Sequence, residues 1–125
     1  MDDARKGYAV IQDGAEELPV YFDNEALALA ERVMKKSVFA VLSGFETGQS
    51  GIAECAHLIA VGASHARSRL RLPGGRMTQN QALKLMDRVP YTKVAPIVFG
   101  AIAEIITDDS DEAIDAEFDD ADSKN

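Results

Sequence analysis

Apolar residues recur at steps of three and four along most of this chain, and the longest such stretch without proline is Ser50–Arg69. Ile52, Cys55, Ile59, Ala63 and Ala66 fall along one side of an α-helix. Leu58, Val61 and Gly62 form a second apolar side, so the pattern predicts a central helix with neighbours on two flanks. Ser50 is the expected N-cap, and the arginines near the other end suit the negative pole of the helix dipole.

The remaining elements are ordered around this helix. Tyr8, Val10, Val20 and Phe22 alternate with other residues about an Asp13-Gly14 turn signal, which predicts a β-hairpin over Gly7–Phe22. Pro19 places its arm at an edge or a strand start. Asp23 or Asn24 then caps a helix to about Lys36, with Leu27, Ala30, Val33 and Met34 inward and Glu31, Lys35 and Lys36 outward. Ser37 opens a second helix with Val38, Val41, Leu42 and Phe45 on one side, and Gly44, Gly48 and Gly51 break the pattern before the central helix. Pro73-Gly74-Gly75 marks a loop. Thr78 and Gln81 form a capping box for a fourth helix carrying Leu83, Leu85 and Met86, which Pro90 ends. The last helix is expected over Tyr91–Thr107, with Val94, Val98, Ile102 and Ile105 as its inner stripe; Pro96 falls in its first turns, which leaves a start at Ala95 as the alternative.

These elements predict a mainly α protein: a compact bundle of about five helices with a short N-terminal β-hairpin over residues 1–107, followed by a disordered acidic tail, residues 108–125. The charge sharpens that division. Residues 108–125 carry nine acids against Lys124, a net of −8, which leaves twelve acids and twelve bases in residues 1–107. A body of zero net charge disfavours general binding to nucleic acid. No apolar run approaches the ~18 residues of a membrane span. The opening residues MDDARKGY lack the apolar stretch of a secretory signal, so the cytoplasm is the expected compartment.

No catalytic constellation emerges from spacing. His57 and His65 are separated by about 12 Å along a helix axis, too far to share one ion, and Cys55 faces away from His57. Both histidines read as surface or boundary residues and Cys55 as a small buried hydrophobe, so no metal site, cofactor or enzymatic activity is expected. Pro73-Gly74-Gly75-Arg76 lacks the ending of a phosphate loop. Arg67, Arg69, Arg71 and Arg76 make one basic cluster, which reads first as a solvated helix end, then as a docking patch for an acidic surface, and last as a contact for RNA or DNA. Ile114 and Phe118, four apart amid acids, read as a short helix that forms on binding, unless the tail serves solubility alone. The tail is also expected to fold back over the arginines.

Taken in order, the elements resemble the tail assembly chaperones of long-tailed bacteriophages and related prophage or gene-transfer particles. The resemblance is carried by the hairpin ending in Leu18-Pro19-Val20-Tyr21-Phe22, the following Glu25-Ala26-Leu27-Ala28-Leu29-Ala30-Glu31, and helices over Val38–Phe45 and Ile52–Ala66. The M-T-x-x-x-A-x-x-L-x-D form of Met77–Asp87 and the closing helix Val94–Ile106 complete it, over about residues 8–107. It implies a non-catalytic protein of the host cytoplasm that coats the tape measure protein, helps recruit tail tube subunits and is absent from the finished particle. Self-association along the partner is compatible with this role. The alternatives are a small phage connector retained in the particle, or a bacterial regulatory adaptor acting through its acidic tail. The family carries over no fixed catalytic or ligand residues. Contact candidates therefore come from apolar exposure: Phe39, Phe45, Tyr91 and Phe99, with the arginine cluster at the rim. Core packing is the competing reading, and the better one for Phe45 and Phe99.

Overall fold

A computed structural model describes residues 5–107. Strands β1 (Tyr8–Asp13) and β2 (Glu16–Tyr21) precede five helices: α1 (Asn24–Met34), α2 (Val38–Thr47), α3 (Ile52–Arg69), α4 (Gln79–Arg88) and α5 (Tyr91–Ile106). The expected mainly α bundle with an N-terminal hairpin is therefore the observed architecture; the expected disorder of 108–125 lies outside the described residues. Among the described residues, no helix is long and apolar enough to cross a membrane.

Helix α3 is the axis of the fold. Strand β2 and helices α1, α4 and α5 all pack on it, while α5 also backs β1. Its buried side chains are mostly small (Cys55, Ala56, Ala60, Ala63, Ala66), with Leu58 and Ile59 filling the spaces between neighbours. Small residues let surrounding backbones approach closely, as at Gly62, which lies beneath the ring of Phe22.

The hairpin pairs Ile11 with Leu18, Ala9 with Val20 and Asp13 with Glu16 across a two-residue turn in which Gly14 has φ 64°. Its core face is Ile11, Leu18 and Val20, with Ala9 packed against them. This corrects the expected grouping of Tyr8 and Val10 with Val20, because directly paired residues share a face and Tyr8 and Val10 pair with Tyr21 and Pro19. The amide of Phe22 donates to the Gly7 carbonyl at 2.8 Å. Alternation of bonded pairs from that point makes Val10–Pro19 a non-bonded pair, so the N–H that Pro19 lacks is not needed by the ladder.

Local capping follows the expected chemistry at three helices. Asp23 accepts from the Ala26 amide at 2.9 Å, Ser37 Oγ from Ala40 at 3.0 Å, and Thr78 and Gln81 close a reciprocal box. Helix α1 ends earlier than expected, at Met34, because Lys35 turns left-handed with φ 60°. Glu31 does not simply face out: its Oε2 accepts from the Val38 amide at 2.8 Å and ties α1 to the start of α2.

Two expectations fail for identifiable reasons. Gly51, not Ser50, caps α3, with its amide held by Glu54 Oε1 at 2.8 Å; Ser50 is buried against Gly44 instead. Ile52, in the first turn, is exposed rather than inward, as is Val33 on α1. Helix α5 begins at Tyr91, as expected and not at the alternative Ala95; it is capped by Pro90 and continues through Pro96, which withholds an N–H from the Thr92 carbonyl on the exposed side. The inner stripe of Val94, Val98 and Ile102 is fully buried and holds the helix together across that gap.

Candidate functional site

Helices α2 and α5 leave an open apolar groove between them. Phe45 at the end of α2 sets its ring 4.3 Å from that of Phe99 and 6.2 Å from that of Tyr91, centroid to centroid, in tilted arrangements. Leu42 and Pro96 extend the walls, and the groove encloses about 590 Å³. All three aromatic rings are half-buried, with one side on the core and the other lining the groove. Core packing, the favoured reading of Phe45 and Phe99, thus describes only half of each ring.

Among the described residues Phe39 is the most exposed large apolar side chain, at 62 %. It lies three residues before Leu42 and seven before Glu46, and helical spacing puts all three on one stripe of α2. That stripe prolongs the groove by about a turn. Burial raises the Tyr91 hydroxyl above its ordinary pKa, helped by nearby Cys55 and Glu54, so it remains a neutral hydrogen-bonding group at the groove. Thr92, whose carbonyl Pro96 leaves without its helical donor, also lines this surface.

The four arginines do not form one cluster. Arg67 and Arg69 stand two positions apart near the end of α3, about 200° around the helix, and face different sides. Arg67 and Arg76 border a groove between α1 and α3, where Arg67 Nη1 donates to the Gly75 carbonyl at 2.7 Å. Arg69 and Arg71 border a separate cleft with Arg5, Tyr8 and Pro19. Arg69 also pairs with Glu25. Neither set rims the α2/α5 groove, which corrects the expected rim. Ile114 and Phe118 lie outside the described residues.

The tertiary structure assembles one polar group that spacing did not reveal. Asp23, Glu25 and His65 offer ligand-type atoms within 4.8 Å of one another. Each is already engaged. Asp23 Oδ1 receives the Ala26 amide and lies 2.8 Å from His65 Nε2, Arg69 sits on Glu25, and the His65 ring stacks on Tyr21 at 5.5 Å. Desolvation works to raise the Asp23 pKa, but the Ala26 amide, His65 and Arg69 outweigh it and hold the carboxyl below its usual range. A cation here would compete with Arg69 and disturb the N-cap of α1, so the arrangement reads as a clasp between α1 and α3. The clue available in sequence was Asp23 as a cap; its partner lies on a helix distant along the chain.

Comparison with protein-family models gives no matching family, and comparisons with curated proteins and with solved structures give no match.

Proposed function

We propose that this chain is a tail assembly chaperone, a non-catalytic adaptor that holds helical apolar segments of a tape measure protein and brings tail tube subunits to them. The observation that carries the reading is the aromatic groove between α2 and α5. An apolar stripe of Phe39 and Leu42, continued by Phe45, Tyr91 and Phe99, is a surface of the kind that receives one face of an amphipathic helix. Its half-buried aromatics are rigid anchors, since their inner sides are fixed by the core. The pattern likeness of residues 8–107 to the chaperone family supports the same role, acted out in the host cytoplasm. Recognition would rest on apolar contact with little charge steering, because the arginines lie elsewhere.

The test is co-expression of the full chain with the tape measure protein encoded in the same gene cluster. The expected result is a soluble tape measure that co-purifies with the chain. Phe39→Ser and Tyr91→Ser should weaken recovery by roughly tenfold or more, the scale of a lost aromatic anchor, while leaving helical content unchanged. A tape measure that precipitates equally with and without the chain overturns the proposal. Finding the chain in finished particles favours the connector reading instead.

A further inference from the structure

A second apolar groove, distinct from the aromatic one, runs between α1 and α3. It consists of two adjoining cavities of about 410 and 230 Å³ that share Leu29, Val61, Ser64 and Arg76. Leu29 and Val33, one helical turn apart on α1, are 42 % and 47 % exposed at its edge. Arg67 and Arg76 stand at its rim, and His57 and His65 also line it. Among the described residues, no Asp or Glu lines either cavity, and neither Arg67 nor Arg76 pairs with a carboxylate. The surface therefore calls for an apolar pair spaced like Leu29 and Val33, flanked by acids.

One segment of this chain has that chemistry. Residues 108–125 hold nine acids, and Ile114 and Phe118 are their only large apolar side chains, again four positions apart. The point of departure is also favourable. Glu104 Oε1 accepts from the Gly7 amide at 2.9 Å, and the Gly7 carbonyl accepts from Phe22, so the end of α5 lies beside the residues that lead into α1. From Asp23 to Leu29 is about 9 Å along a helix, while the seven Cα–Cα steps from Thr107 to Ile114 span up to about 24 Å.

We propose that residues 108–125 occupy the α1/α3 groove of their own chain, with Ile114 and Phe118 against Leu29, Val33 and Val61, and carboxylates against Arg67 and Arg76. Covalent attachment gives the segment a millimolar-range effective concentration, enough to fill a shallow site without high intrinsic affinity. The charge component makes occupancy sensitive to salt. The proposal is independent of the chaperone reading, which concerns the other groove.

The test uses the full chain carrying Ser123→Cys with a nitroxide label, Cys55 being buried and out of reach. At low ionic strength the amide signals of Leu29, Val33, Val61 and Ser64 should lose most of their intensity, and recover as salt is raised. Ile114→Ser with Phe118→Ser, and separately Arg67→Glu with Arg76→Glu, should restore those signals without altering the spectrum of the buried core. Three results overturn the proposal: no broadening, broadening centred on Tyr91 and Phe99, or broadening that appears when isotope-labelled and spin-labelled chains are mixed, which would place the segment on a second copy.

Discussion

The ring of Phe22 lies so close to the backbone of Gly62 that a Cβ added at Gly62 would stand 2.5 Å from Phe22 Cζ. Phe22 is completely buried at the junction of the hairpin and α1, and it lies where α3 presents no side chain. This contact seats the hairpin on the helices, so the residue that looks weakest in α3 by helix propensity is required there by packing. Gly62→Ala should destabilise the protein by about 1–3 kcal/mol, the usual penalty for overfilling a packed site, despite alanine's better helix propensity. Gly100→Ala is the control. No atom lies within 4 Å of its added Cβ, so it should stabilise by up to about 1 kcal/mol. Denaturant titration of the two variants checks both signs.

Stability should also fall on the acid side through Asp23. Its folded-state pKa lies below the ordinary 3.8 despite desolvation, through the Ala26 amide, His65 and Arg69. The unfolded state then binds more protons as pH falls, so the contribution is fully present above the unfolded pKa and is lost as pH falls through the lowered folded value. Asp23→Asn keeps an acceptor for the cap and removes the charge. Its unfolding midpoint should be lower near neutrality and flatter below about pH 4 than that of the parent chain, as followed by denaturant melts across that range.

Cys55 has no exposed surface, and burial pushes its thiol up to about 12. A thiol that is neither accessible nor ionised is inert towards alkylation. At mildly alkaline pH the native protein should show negligible modification by iodoacetamide in mass spectra. Labelling should become complete only when denaturant opens the core; rapid labelling of the native chain would contradict this burial.

Pro96 interrupts α5 on its exposed side and leaves the Thr92 carbonyl without a helical donor. Pro96→Ala restores that bond and removes the ring's clash with the preceding turn, against a smaller loss of unfolded-state restriction. A net gain of about 2 kcal/mol is expected, measured as a higher melting temperature. If the Thr92 carbonyl serves partner binding at the aromatic groove, the same variant should bind the tape measure less well while melting higher.

What the residues disclosed in order along the chain was everything that depends on near neighbours. Asp23, Ser37 and the Thr78–Gln81 pair cap helices through bonds spanning three residues, and the Gly14 turn closes a hairpin of adjacent strands. The central position of α3 was readable because apolar residues cover more than one of its sides. The choice among competing faces was not. Both faces of β1 carry apolar groups, so alternation is equally satisfied by Tyr8 and Val10 or by Ala9 and Ile11; the helices beneath selected the second pair. The same degeneracy hid the exposure of Leu29, Val33 and Ile52, which belong to helices with more apolar positions than one buried stripe needs, whereas Phe39 was already a candidate for exposure. The clasp of Asp23 with His65, the parting of the arginines to two sides of α3, and the groove flanked by Phe45 and Phe99 all arise from helix placement in space. Local periodicity says that a helix has a greasy side, but contact between distant segments decides which part of it stays uncovered.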